Sequence, residues 1–190
     1  MAQKRKPDQT KLIAEAALSL AGKTGWDRLT FKDIAKKAKV SIKDVEAQFS
    51  DTWDILKWVL KRLESDTRDG VERHLGRDWR DNLAEILMTR FELAQAHRDA
   101  FASLGKSFAR HPEAAPRFVR GFYKTLDGML RLSGVSKKLC QPVCVAALGA
   151  VYLSLVDVWM KDETPDLSKT MAAIDRRLDL YAQALDFAKG

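Results

Sequence analysis

The residues of this 190-residue chain best placed to do chemistry are cations and short polar side chains near the N-terminus. The chemistry they suit is holding phosphate. Net charge is +7, and residues 1–49 hold eleven basic and six acidic residues, against 22 and 20 in the remaining 141. Lys4, Arg5, Lys6, Lys11, Lys32, Lys36, Lys37 and Lys43 supply that excess, which suits a polyanionic partner. A solvated lysine-rich face that keeps the chain in solution would have the same composition. Little points to catalysis. No nucleophile elbow, paired helical histidines or phosphate-binding glycine loop occurs. His74, His97 and His111 are scattered. Cys140 and Cys144, four apart with no other cysteine, make neither a metal set nor a disulfide framework and read as small apolar residues. No catalytic residue, metal or cofactor is expected. Asp157 stands inside an apolar run. If buried it needs a partner, and Arg176 or Arg177 on the following helix would serve.

The elements that must position the cations lie in residues 29–56. Thr30 caps a helix over Phe31 to Ala38, with Ile34, Ala35 and Ala38 forming an apolar stripe. Val40 plugs a short turn. Ser41 caps a second helix, Ile42 to Phe49, and Asp44 three residues on completes a capping box with a shorter acid. Val45 and Phe49 face the same core. This is the spacing of a helix-turn-helix, whose second helix lies in the DNA major groove. In that geometry Ser41, Ile42, Lys43 and Ala47 face base edges or the groove wall. Thr30, Lys32 and Thr52 approach phosphates, and Arg5 and Lys6 form a basic arm. Glu46 could accept a hydrogen bond from a cytosine amino group. The same periodicity also describes a three-helix cap on an all-helical protein, and spacing alone leaves both readings open.

The pattern T-x-x-D-I-A-x-x-A-x-V-S-x-x-x-[VL]-x-x-x-F, carried by Thr30, Asp33, Ile34, Ala35, Ala38, Val40, Ser41, Val45 and Phe49, resembles the TetR family of transcriptional regulators. Upstream, Ile13 to Leu18 and the Gly25-Trp26 break look like that family's first helix and its exit. The resemblance implies an all-α fold. Residues 1–50 would be a helix-turn-helix DNA-binding domain and 51–190 a helical ligand-binding and dimerisation domain. It also implies a bacterial, cytoplasmic homodimer that binds double-stranded operator DNA and is released by an apolar small-molecule or lipid effector. The chain departs from the family at Lys39, where glycine is usual, at Glu46, where tyrosine is usual, and at Thr52, where lysine is usual. Carboxylates at 44 and 46 oppose a phosphate backbone by Coulomb's law.

The rest of the chain reads as helices. Asp54 to about Asp69 is followed by a looser stretch around Gly70 and Gly76. Amphipathic segments follow at Trp79 to about His97, Ala100 to Ala109 and Glu113 to Leu132. Pro142 opens the apolar helix Val143 to Met160, and Ser168 caps Lys169 to about Phe187. No strand pattern or repeat appears. The N-terminus MAQKRKPDQT is charged and no apolar signal core follows it. The uncharged stretch Leu139 to Val156, 18 residues long, is marginal for a membrane span and better suited to a subunit interface. Two-fold pairing of the last two helices is expected to make the dimer, with Leu148 or Leu155 at the interface. Met88, Phe91, Phe101, Phe108, Phe118, Phe122, Met129, Tyr152 and Trp159 recur at helical spacing. They are candidates to line an apolar effector pocket, as well as ordinary core. Tyr152, Trp159, Asp162, Thr170, Ile174, Asp175, Arg176 and Arg177 also resemble the TetR-like lipid-binding proteins of ubiquinone biosynthesis. That resemblance implies the same fold with an isoprenoid lipid in the bundle and no DNA binding.

Overall fold

The structure, a computed structural model, describes residues 8–135 and 141–187. Nine α-helices and two short 3-10 turns make up the described residues, with no strand among them. The first five helices are α1 (Gln9–Thr24), α2 (Phe31–Ala38), α3 (Ile42–Glu46), α4 (Thr52–Val71) and α5 (Trp79–Gln95). The rest are α6 (Arg98–Arg110), α7 (Pro116–Ser133), α8 (Gln141–Met160) and α9 (Ser168–Phe187). The all-α architecture expected from the 3.6-residue apolar period is what forms.

The chain divides into two compact units, and the division is not a single cut. The first holds the residues up to Arg62 together with His97–Pro116. The second holds Leu63–Ala96 together with the residues from Arg117 on. Packing therefore groups α6 with the N-terminal helices, whereas the sequence suggested one boundary near residue 50.

In the first unit, Asp8 caps α1 by accepting the Thr10 N–H at 3.1 Å. Gly25 ends that helix in a positive-φ conformation (φ 93°), its N–H bonded to Ala21 O at 2.9 Å. Only glycine adopts such a φ without steric cost. The chain then turns so that Trp26 is fully enclosed, with its indole N–H donating to Thr52 O at 3.3 Å. Ile13, Ala17 and Ala21 of α1 are buried, and α1 packs on α2 and α6. Ile34, Val45 and Phe49 join that core.

Asp27 ties α6 to the turn after α1. Its carboxylate lies 2.7 Å from Ser107 Oγ and 2.7 Å from Arg110 Nη1. The Ser107 hydrogen bond, with the Arg110 charge beside it, holds the carboxyl below its ordinary range despite burial. His97 adds a contact from the start of α6 to Glu15, with Nε2 3.0 Å from Oε2.

In the second unit, α9 packs on α5 and α8. Leu83, Ile86, Leu87 and Phe91 of α5 are buried there with Leu148, Leu155 and Trp159 of α8 and Ile174, Leu178 and Tyr181 of α9. The helix Pro142–Met160 is long and apolar enough to cross a membrane by length and composition, with mean hydropathy 2.0. One of its faces is nevertheless core. Cys144 is buried, and its carbonyl accepts the Tyr181 hydroxyl at 3.0 Å. Cys140 lies outside the described residues.

Four expectations about this region need correction. Asp157 is not buried: its side chain is 67% exposed and pairs with Lys161 at 2.8 Å one turn on. Arg177 donates instead to Ser154 O at 3.0 Å. Leu148 and Leu155 are interior to the protomer rather than on its surface. Ser168 does not cap α9. The buried carboxylate Asp162 does, accepting the Thr170 N–H and hydroxyl at 2.7 Å each and the Thr164 N–H at 3.0 Å. Burial alone would raise the Asp162 carboxyl, but these bonds overcome it and hold the group well below the usual carboxylate range. Leu167, just before α9, takes a left-handed conformation (φ 54°) to make the entry.

Candidate functional site

The α2–turn–α3 segment is built by caps. Thr30 Oγ1 accepts the Asp33 N–H at 3.2 Å and donates to Asp33 Oδ2 at 2.5 Å, so this hydroxyl is committed to starting α2. Lys39 closes α2 in the left-handed region (φ 58°, ψ 41°), with its N–H on Ala35 O. That conformation is why glycine is usual at this place in the resembling family. Ser41 and Asp44 form a full capping box. The Asp44 N–H donates to Ser41 Oγ at 3.1 Å and the Ser41 N–H to Asp44 Oδ2 at 3.0 Å. The Ser41 hydroxyl also donates to Asp44 Oδ2, at 2.6 Å. These bonds hold the Asp44 carboxyl below its ordinary range. Asp44 is thus a structural acid, occupied by the backbone at the start of α3.

α3 is shorter than its expected span to Phe49. It ends at Glu46, because Ala47 and Gln48 tighten into a turn in which Gln48 N–H reaches Val45 O at 3.1 Å. The tighter turn delivers Phe49 to the core. Gln48 then anchors the end of the segment, donating to Asp44 O at 3.0 Å and accepting the Thr10 hydroxyl of α1 at 2.5 Å.

Val45 is the inward residue of α3, and Ile42, Lys43, Glu46 and Ala47 are exposed. Their spacing of i, i+1, i+4 and i+5 puts them on one face. Ile42 is 42% exposed. Lys32 is exposed in the first turn of α2, and Thr52 is the half-buried first residue of α4. Arg5 and Lys6 lie outside the described residues.

The nine aromatic and methionine candidates are divided between the units. Phe101 and Phe108 belong to α6 in the first unit, where Phe108 stacks on Trp53 with centroids 5.3 Å apart. In the second unit, Phe91 lies 5.7 Å from Tyr152 and 5.4 Å from Trp159, and Phe122 meets Tyr152 at 5.7 Å. The Trp159 indole donates to Gln95 Oε1 at 2.8 Å. Met88 and Phe118 are half-buried, and Met129 is buried. These rings pack against one another. A small cavity of about 20 Å³, room for roughly one water, opens beside Met129. Its lining is more polar than expected: Glu64, Thr67, Arg68, Arg90 and Thr125 contribute to it.

Arg90 was not singled out in the sequence, though a signal was there. It shares an inward stripe with Leu83, Ile86, Leu87, Phe91 and Ala94, and a cation at such a position is unusual. Asp162 entered only through the resemblance it helps to carry, and its capping role gave no signal, because a loop acid that caps a later helix has no periodicity. Among the described residues no cluster of His, Cys, Asp and Glu could hold a metal ion.

The fold and the α2–α3 unit define a class, the all-α helix-turn-helix proteins with an appended helical bundle. Within that class the chain has the TetR-type fold. It is similar to a TetR transcriptional regulator from Nitrosomonas europaea ATCC 19718, with a TM-score of 0.78 and 19% identity over 92% of this chain and 98% of that one. It is also similar to the fatty acid degradation regulator FadR from Bacillus halodurans, with a TM-score of 0.66 and 19% identity over 96% and 98% of the two chains. FadR from Bacillus subtilis, solved in complex with stearoyl-CoA, gives 0.61 and 19% over 90% and 96%. No family model and no curated protein matches the sequence.

Proposed function

We propose that this protein is a cytoplasmic, dimeric, DNA-binding transcriptional regulator released from its operator by a small, mainly apolar effector. One observation carries the reading. α3 is anchored at both ends, by the Ser41–Asp44 box and by Gln48, and it turns Ile42, Lys43, Glu46 and Ala47 outward where they serve no internal packing. A rigid short helix with such a face fits the major groove. Lys32 and Thr52 flank it as phosphate contacts, with Arg5 and Lys6 as an arm. The basic excess of residues 1–49 supports a nucleic-acid partner. The stearoyl-CoA bound by the Bacillus subtilis relative in fold supports a small-molecule effector with a large apolar part.

Assembly follows from α8 and α9. Val143, Leu153, Met171 and Leu180 are exposed there, and an isologous pairing of the two helices with their copies would cover them. The effector acts by binding one of two conformations more tightly. The favoured one holds the two recognition helices out of step with half-sites one or more helical turns apart.

The alternative is a TetR-fold lipid carrier that does not bind DNA, and Glu46 favours it, since a carboxylate on the outer face of α3 repels phosphate. The test is retention of genomic fragments at low salt by the wild type and by Glu46→Gln, with mass spectrometry of extracted ligand from the same preparation. Retained fragments sharing a two-fold repeat support the regulator. A changed base preference in Glu46→Gln means Glu46 reads a base, and a uniform gain in affinity means it only repels. If neither form retains DNA and the extract holds an isoprenoid lipid, the carrier replaces the regulator.

A further inference from the structure

Most of the polar side chains around α3 are already engaged. Ser41 Oγ gives its hydrogen to Asp44 Oδ2 at 2.6 Å and accepts the Asp44 N–H at 3.1 Å, so Ser41 has no hydrogen left to offer a base. The Asp44 carboxyl is held in that box by the Ser41 N–H at 3.0 Å, with Gln9 of α1 also hydrogen-bonded to it. Gln48 uses both ends of its amide, on Asp44 O at 3.0 Å and on the Thr10 hydroxyl at 2.5 Å. Val45 is buried. The side chains of α3 and its C-cap that remain to meet a partner are Ile42, Lys43, Glu46 and Ala47, all exposed. Ile42 and Glu46 stand one turn apart in one row. Lys43 and Ala47 form the row beside it, and Lys43 and Glu46 are neighbours at i, i+3. Each row pairs a hydrocarbon end with a charge, and the two charges are opposite.

We propose that Ile42 reads a pyrimidine C5-methyl group beside a C·G pair held by Glu46 and Lys43. The proposal deepens, and rests on, the reading of α3 as a major-groove helix. In that groove a C·G pair presents the cytosine amino donor next to the guanine O6 and N7 acceptors. Glu46 accepts from the first and Lys43 donates to the second, so both charges are matched on one base pair. Ile42, one turn before Glu46, carries no polar atom. The apolar group that a base edge presents to it is the C5-methyl, and their contact removes both from water. That methyl belongs to a thymine in the neighbouring pair or to a 5-methylcytosine, and the contact is the same for either. Ala47, one turn past Lys43, adds only a short methyl of its own and leaves Ile42 as the residue that makes the discrimination.

The test is selection of duplexes from a random-sequence library by the full chain at low salt, followed by fluorescence anisotropy on the recovered sequence. The recovered half-site is expected to hold a C·G pair with a pyrimidine beside it. Where that pyrimidine is thymine, replacing it by deoxyuridine deletes the methyl alone. Binding should weaken about fourfold per half-site, as the loss of one buried methyl implies. Where it is cytosine, conversion to 5-methylcytosine should strengthen binding by a similar factor, and the methyl is then that of methylated DNA. Ile42→Ala, a change at an exposed position, should bind the methylated and unmethylated duplexes of either pair alike. The proposal is overturned if no such substitution changes wild-type binding, or if Ile42→Ala keeps the full discrimination of the wild type. Enrichment of duplexes without dependence on a methyl removes only this proposal. Failure to enrich any duplex removes it together with the regulator.

Discussion

Lys39 occupies a backbone conformation that costs an L-residue about 1 kcal/mol and glycine almost nothing. Lys39→Gly is therefore expected to stabilise the protein by about 0.5–1 kcal/mol, read as a rise of roughly 1–4 °C in a thermal melt. A fall would mean that the lysine side chain does work beyond the turn. Asp162 makes the opposite case. Removing its carboxylate strands the first-turn donor of α9 inside the protein, so Asp162→Ala should cost roughly 2–3 kcal/mol in chemical denaturation. Because the folded carboxyl is held below its unfolded value, its contribution is complete above about pH 4 and is lost as pH falls further. Asp162→Asn should flatten that acid limb of the stability curve. At this scale the sequence was unevenly legible. The Ser41–Asp44 box could be read because both partners lie within one turn of helix. The cap made by Asp162 could not, because its partner is eight residues away across a loop. Asp157 misled because apolar neighbours in sequence do not make a side chain face inward.

Among the elements, α2 and α8 show why some faces were readable and others not. α2 has a buried Ile34 and Ala35 against exposed lysines, so one period fixes which side packs. α8 is apolar all round, and no period distinguishes its core face from its outer one. The structure makes the distinction: Leu155 is enclosed, whereas Leu153 is 60% exposed. The two should behave differently. Leu153→Glu should dissociate the proposed dimer in sedimentation while leaving the protomer's helicity intact. Leu155→Ala should cost about 2–5 kcal/mol of stability. A wild-type chain that sediments as a monomer at micromolar concentration would refute the pairing of α8 and α9. For α3, Lys43→Ala should weaken DNA retention and reduce the salt slope by about one ion per subunit. Truncation of the inward Val45 should instead lower stability and DNA retention together.

At the scale of the whole molecule, the helical class and the TetR-type fold could be read early, since a capped α2–turn–α3 unit is a local pattern. Which helices pack together could not, because contacts between residues far apart in sequence leave no period. α6 is the instance. It reads as one more helix of the C-terminal half, yet Asp27 holds it through Ser107 and Arg110, and His97 reaches back to Glu15. Asp27→Ala should accordingly loosen the first unit, seen as faster amide exchange in α1 and α6 with the second unit unaffected. The chain crosses between the units three times, near residues 62, 96 and 116. A fold assembled this way is not a cassette. A single recombination after residue 62 would transplant α3 without the helix that covers α1, and the graft should arrive unfolded. A working exchange of the α2–α3 segment between two such folds needs two splices, so that residues 97–116 travel with the N-terminal helices. Inheritance by simple fusion is closed to this architecture, and under the proposed function changes of operator are left to substitutions on the outer face of α3.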